Sequence, residues 1–310
     1  MRSAARCSRF ARRSLATVAG HTHDGIDWTT WLHRLREADA VAAGARRALA
    51  RRLVGPRTRV VVDVGSGAGG MGVAFAEEMA DSGGTVVLVD SVPELLDAAT
   101  AQVSAAAGPL VEVQAVRADA GGDELLDAVP RADLVFASFV VHHLPDQQRG
   151  LDRLAALVSP GGRLAVVESG LEQRCLPWDV GVGEPGLQGR LTAAHGKWFR
   201  GMRAGMDGAV RLPVGWGRAL RDAGLTEVSS FSYLIDEPEP TDQVRAAVVR
   251  WLSGLREVAA DWIDEADRHA VDQLLDPAGP HYVGLRDDVF LLAAHTVHIG
   301  TAVPASTRTA

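Results

Sequence analysis

The stretch Arg59-Val-Val-Val-Asp-Val-Gly-Ser-Gly-Ala-Gly-Gly70 constrains this chain more than any other. A short β-branched run ends in a glycine cluster, and alternating small and apolar residues resume from Met71 to Met79. That is the pattern of a buried strand, a tight turn and a helix. Gly65 and Gly67 let the backbone turn sharply and approach a ligand, and Gly69 or Gly70 lets helix and strand pack closely. Gly65, Gly67 and Gly70 also satisfy the dinucleotide fingerprint G-x-G-x-x-G, so a nicotinamide or flavin enzyme is an open reading. Asp63 argues against it. A carboxylate at the strand end would repel a pyrophosphate at the helix N-terminus and attract a cationic ligand.

Val62-Asp-Val-Gly-Ser-Gly-Ala-Gly69 resembles motif I of the class I S-adenosylmethionine-dependent methyltransferases, acid-x-Gly-x-Gly-x-Gly. S-adenosylmethionine carries a sulfonium and an ammonium, the cationic character that Asp63 suits. A second stretch, Val141-His-His-Leu-Pro-Asp146, follows the apolar run Asp133 to Val140. It is similar to the post-strand motif of small-molecule methyltransferases, including the quinone and sugar O-methyltransferase groups, and dissimilar to typical dehydrogenases. The resemblance covers roughly residues 55 to 235 plus the last strand. It implies an α/β fold with a doubly wound, mostly parallel seven-stranded sheet, an N-terminal helical cap and a helical insertion before the last strand.

On that resemblance, Asp63, Gly65, Ser66, Gly67 and Gly69 would hold the methionine part of S-adenosylmethionine. Asp90 ends the next apolar run, Thr85 to Val89, about 20 residues beyond the turn, where an acid can accept both ribose hydroxyls; Ser91 adjoins it. Asp119 and Ala120, after the run Leu110 to Val116, fall where the family contacts adenine, and Ser138 lies near the end of the fourth strand, Asp133 to Val140. Asp119 read without the resemblance is a turn aspartate. His142 or His143 sits at the carboxyl edge, where open α/β sheets bind ligands, and either imidazole can act as a base near neutral pH. The plainer reading makes one of them a backbone-bonded turn residue. The fifth strand, Arg163 to Glu168, ends in an acid on the same edge. Neighbouring strands lie about 5 Å apart, so Glu168 and His142 can form a base and its orienter, or an ion pair serving stability alone.

The 310 residues, 47% hydrophobic and 23% charged, suit one large globular domain with additions. Residues 1–59 hold 13 Arg against 4 acids, leaving 19 basic against 35 acidic residues in the rest. An acidic body is a poor partner for a polyphosphate, so no nucleic acid is expected. Cys7 and Cys175 form no ligand spacing, so neither disulfide nor metal is indicated, and a reducing cytoplasm fits. No apolar run reaches the roughly 18 residues of a membrane span.

In chain order the expectation is a disordered basic arm over 1–24, whose His21, His23 and Asp24 could in principle bind a metal, though no further ligand cluster lies near them in sequence. A helical cap follows over 25–58, with Trp28 and Trp31 as pocket aromatics or ordinary packing, and a cofactor-binding core over 59–170. Next come an irregular, glycine-rich substrate lid over 171–212, the rest of the core over 213–300 with a helical insertion at 241–276 that covers the pocket or mediates a homodimer, and a tail from 301. His295 and His298 lie three apart in a strand and face opposite sides, which counts against a shared metal site. The expected activity is methyl transfer to a small molecule, an O-methylation of a phenol, quinone or natural product. The alternatives are an S-adenosylmethionine-binding scaffold or, less favoured, a nicotinamide-dependent oxidoreductase.

Overall fold

The computed structural model describes residues 27–304. The basic arm with His21, His23 and Asp24, and residues 305–310 of the tail, lie outside the described residues. Helices α1 (Trp28–Val41) and α2 (Ala43–Leu53) lead into β1 (Val60–Val64), α3 (Gly70–Glu78), β2 (Gly84–Asp90), α4 (Pro93–Ala106), β3 (Val111–Arg117), a short α5 (Leu125–Ala128), β4 (Ala132–Ser138), α6 (Gln147–Ala156) and β5 (Val158–Arg174). There follow α7 (Leu187–Ala204), α8 (Trp216–Asp222), β6 (Thr226–Glu237), α9 (Asp242–Val258), α10 (Glu265–Leu275) and β7 (Leu291–Thr301). No helix of the described residues is long and apolar enough to cross a membrane.

The strands form one seven-stranded sheet in the order β3-β2-β1-β4-β5-β7-β6. β7 pairs antiparallel with β5 and β6, and the other pairings are parallel. β1, β2 and β4 read as near-continuous apolar runs because helices cover both faces of a parallel sheet. Val62, Val64, Val135, Leu154, Leu164 and Val166 belong to the core on one face. Val61, Phe75, Leu88, Phe136 and Val297 belong to the core on the other, where the Phe75 and Phe136 rings meet edge to face at 5.2 Å. The strand order reverses between β1 and β4, so the crevice at their carboxyl ends is where such sheets take a ligand.

Local expectations change at several points. β5 does not stop at Glu168: it runs on to Arg174 because β7 pairs with the extension, Ser169 opposite His295 and Leu171 opposite Ala294, across bulges. Ser159-Pro-Gly-Gly162, a turn-like sequence, lies within β5, where the Ala302 N–H donates to Gly162 O at 2.9 Å. The segment 171–212, expected to be irregular, is not, since 18 of its residues form α7. Leu187, Leu191 and Ala194 fall on one buried face of that helix, and a Cβ added at Gly189 or Gly196 would meet nothing within 4 Å. Packing of the apolar stripe outweighs the roughly 1 kcal/mol that each glycine costs a helix.

That stripe belongs to a third core. Cys175, Leu176, Val180 and Leu187 pack with Val244, Val248, Leu252 and Leu255 of α9 and with Val271 and Leu274 of α10. The segment 171–212 and the insertion 241–276 therefore share one apolar interior.

Candidate functional site

The glycine turn is built as a backbone cradle. Gly65, Gly67 and Gly69 have φ of +69°, +55° and +92°, conformations that side chains other than glycine rarely adopt. The helix–strand packing expected of Gly69 or Gly70 falls instead to Gly72, where an added Cβ would lie 2.8 Å from Leu88 of β2 and from Val103 of α4. Gly69 lets α3 meet α4, a Cβ there lying 2.9 Å from the Ala99 Cα. The turn's own donors are taken: Gly65 N–H and Ser66 N–H donate to Val89 O at 2.7 and 3.0 Å, and Gly67 N–H donates to Asp90 Oδ2 at 3.0 Å. Asp90 Oδ1 accepts from Val92 N–H at 3.0 Å, so the carboxylate ties the end of β2 to the turn.

Above the N-terminus of α3, α1 and α2 deliver a charge cluster. Arg46 pairs with Asp39, and an added Cβ on Gly70 would run into both side chains. Leu35 of α1 lies 3.6 Å from the corresponding position on Gly67. Asp63 is 2% exposed beneath this cluster. Burial pushes its carboxyl up to about 7, Arg46 opposes the rise, and Asp39 and Asp90 add to it. Burial also raises the Asp39 carboxyl against the pull of Arg46. Asp39 Oδ2, Asp63 Oδ2 and Ser66 Oγ are buried without a hydrogen-bond partner. One guanidinium thus stands among several carboxylates, and two carboxylate oxygens still lack a donor.

At the other side of the crevice, the chain leaves β4 through Phe139, whose φ of +56° is strained for a residue with a side chain. Val141 to His143 then form a single 3-10 turn. His142 Nδ1 lies 2.6 Å from Glu168 Oε2, and Glu168 is 3% exposed with Oε1 unpartnered. The pairing expected from the strand ends is therefore present. Rings wall His142: Phe139 at 6.0 Å and Phe199 at 5.8 Å, both edge to face, and His143 tilted at 4.1 Å. On α7, Phe199 continues into Trp198, which stacks on His195 at 5.3 Å.

His295 meets Phe139 edge to face at 4.7 Å and approaches the Tyr233 hydroxyl at 3.2 Å through Nδ1. Burial, reinforced by Arg46, pushes its imidazole down to about 4. His298, by contrast, meets Ser230 Oγ at 2.8 Å.

Among the other residues singled out from sequence, Asp119 Oδ1 accepts from Gly121 N–H at 2.8 Å in the turn after β3. Ala120 is buried there, and Ser91 and Ser138 are half-buried at the ends of β2 and β4. Trp31 is 41% exposed on α1. Asp39, Arg46, Phe139, Arg203 and Tyr233 were not foreseen. Asp39 and Arg46 lie on two helices joined by a sharp corner, and no motif links them. The adjacent aromatics Trp198 and Phe199 within 171–212 were a partial signal for Phe199.

Residues 62–164 match the family model described as a methyltransferase domain. A trans-aconitate 2-methyltransferase of Methylobacterium radiotolerans is 27% identical over 176 residues, 53% of this chain. The alignment spans 62% of that relative, less than two thirds of its length. Among solved structures, the YcgJ protein of Bacillus subtilis is similar with a TM-score of 0.48 and 14% identity, over 84% of this chain and 100% of that one. Phosphoethanolamine N-methyltransferase 2 of Haemonchus contortus, in complex with S-adenosyl-L-methionine, has a TM-score of 0.45 and 14% identity, over 84% of this chain and 52% of that one.

Proposed function

We propose that this chain, whose residues 62–164 match a methyltransferase domain, is a class I S-adenosylmethionine-dependent methyltransferase that methylates a hydroxyl on a small aromatic acceptor, with His142 as base and Glu168 as its orienter. The observation that carries this reading is the 2.6 Å contact of His142 Nδ1 with Glu168 Oε2 at the ligand edge of the sheet.

The residues at the glycine turn fit S-adenosylmethionine better than a dinucleotide. A pyrophosphate would need the N–H groups of the turn and the helix N-terminus. Those of Gly65, Ser66 and Gly67 are already bonded to β2, and the Asp39 carboxylate stands at Gly70. The orphaned oxygens of Asp63 and Asp39 call for a cationic donor such as an ammonium. Asp63, Ser66 and the backbone from Gly65 to Gly69 would hold the amino-acid part. Asp90 would hold the ribose beside Ser91. Asp119, Ala120 and Ser138 would line the adenine. The bound cofactor supplies an electrophilic methyl group on a sulfonium.

His142 acts on the acceptor. Glu168 engages Nδ1, which leaves Nε2 as the nitrogen that takes the hydroxyl proton while the oxygen attacks. The carboxylate stabilises the imidazolium that forms, and its burial strengthens that interaction. Phe139, Phe199 and Trp198 give the acceptor an aromatic wall and keep water from the base, which makes α7 a lid. The acceptor named for the Methylobacterium relative is a carboxylate. A multiply charged carboxylate suits these walls less well, because Arg203 is committed to backbone carbonyls and Arg46 to Asp39.

Incubation with S-adenosylmethionine and, separately, catechol, 1,4-naphthohydroquinone and trans-aconitate tests this reading by product mass. Methylation of a phenolic probe with release of S-adenosylhomocysteine is expected. Methylation of trans-aconitate alone would refute the acceptor class, and calorimetry showing NAD binding without S-adenosylhomocysteine binding would refute the cofactor.

A further inference from the structure

The turn that carries His142 is held by a residue from outside the sheet. Arg203, in the last turn of α7, donates through Nη1 to the carbonyl of His142 at 3.3 Å and to that of Leu144. Through Nη2 it donates to Pro145 O at 3.2 Å and Val210 O at 3.4 Å. Val210 N–H donates to Pro145 O at 3.0 Å, so the chain after α7 binds the same turn. The His142, Leu144 and Pro145 carbonyls lie in the single 3-10 turn and the short link that joins it to α6, outside the regular hydrogen-bond ladder of a helix. A planar guanidinium with five donors can cover several converging carbonyls at once, whereas an ammonium offers a single point of charge.

Phe199 and Arg203 are four residues apart on α7 and so share one face of the helix. One residue rests its ring edge on His142 and the other binds the carbonyl of that same residue. Both contacts to the proposed base come from one side of the lid helix.

We infer that Arg203 is the positioning residue for His142: through the turn's carbonyls it holds the imidazole in register with Glu168, so that docking of the lid helix and assembly of the base are one event. This rests on the reading of His142 and Glu168 as a catalytic pair. Lid opening withdraws Arg203 and Phe199 together, and the turn loses the fixed backbone that aims Nδ1 at Glu168. The base is then organised only when the acceptor site is covered.

Proton NMR at low temperature tests this without any acceptor. The proton shared by His142 Nδ1 and Glu168 in the wild-type protein is expected as a far-downfield resonance that disappears in Glu168→Gln. Arg203→Lys should broaden or abolish it while far-UV circular dichroism stays unchanged, and adding methylguanidinium to Arg203→Ala should restore it. Arg200→Ala, an exposed neighbour on the same helix, should leave it in place. If Arg203→Ala fails to fold, the lysine variant still decides the matter. A resonance that depends on Glu168 but survives both Arg203 variants would overturn the role of Arg203 alone. The absence of any Glu168-dependent resonance in the wild-type protein would overturn the pair and, with it, the role of Arg203.

Discussion

Asp63 and Glu168 are two buried carboxylates near one edge of one sheet, 2% and 3% exposed. Strand alternation puts them on opposite faces: Asp63 shares its side of β1 with Val61, and Glu168 shares its side of β5 with Val166. Their partners differ more than their burial does. Burial pushes the Asp63 carboxyl up to about 7, and the nearby cation, Arg46, already paired with Asp39, only partly opposes the rise. Glu168 has an imidazole at 2.6 Å. A buried carboxylate short of a cation is suited to recruiting a charged ligand; one with an imidazole is suited to handling a proton. On the proposed reading, the same side-chain chemistry serves binding on one face and reaction on the other.

If that division is correct, damage on the two sides separates. The largest effect is expected at the base. His142→Ala should lower single-turnover methyl transfer to a phenolic acceptor by about 100-fold or more, with S-adenosylhomocysteine affinity nearly unchanged. His143→Ala should do less. Glu168→Gln should also slow turnover, and the double variant should be less impaired than the product of the single effects, because the two groups act as a unit. Wild-type turnover in His142→Ala would return the pair to an ion pair serving stability.

The complementary damage is expected at Asp63. Asp63→Asn should weaken S-adenosylhomocysteine by roughly 1.5 to 3 kcal/mol, the scale of a lost charge-assisted hydrogen bond. Once the cofactor site is saturated, single-turnover rate should recover. Calorimetry and rapid-quench measurements on the same variant read the two quantities independently. A rate defect persisting at saturation would erase the distinction between the two carboxylates.

The two regions were not equally legible in the sequence. β1, β2 and β4 announce themselves as apolar runs because both faces are covered, and Asp63, Asp90 and His142 fall at or near the ends of those runs. The partners that tune them do not. Asp39 reaches Arg46 only through the corner between α1 and α2. Phe139 stands at a φ of +56° that nothing in its residue type announces. α7 was hidden by its glycines, since the helix is stabilised by a core it shares with α9 and α10 rather than by local propensity. Arg203 was hidden with it. Sequence located groups whose positions follow from strand ends, and missed those placed by helix packing.

The smallest expected effect is in pH dependence, and there the two sides pull in opposite directions. The Asp63 carboxyl is raised in the folded protein to about 7 from 3.8. The folded state therefore holds a proton that the unfolded chain has released, and the stability this confers is complete below 3.8 and lost as pH rises through 7. His295 behaves in the opposite sense. Its imidazole is lowered from 6.5 to about 4, so its contribution is complete above 6.5 and lost as pH falls through 4. Across the shared window the two slopes, each at most about 1.4 kcal/mol per pH unit, offset one another. Asp63→Asn should expose the His295 slope, so its melting temperature should fall between pH 6.5 and 4 more steeply than that of the wild-type protein. The ligand reads the same proton with the opposite sign. An ammonium favours ionised Asp63, so wild-type affinity for S-adenosylhomocysteine should rise between pH 5 and 7, by at most about tenfold per unit, and level off above. Asp63→Asn should remove most of that rise. Isothermal calorimetry from pH 5 to 8 measures it, and an unchanged slope in the variant would move the titrating group away from Asp63, with Asp39 the next carboxylate to substitute.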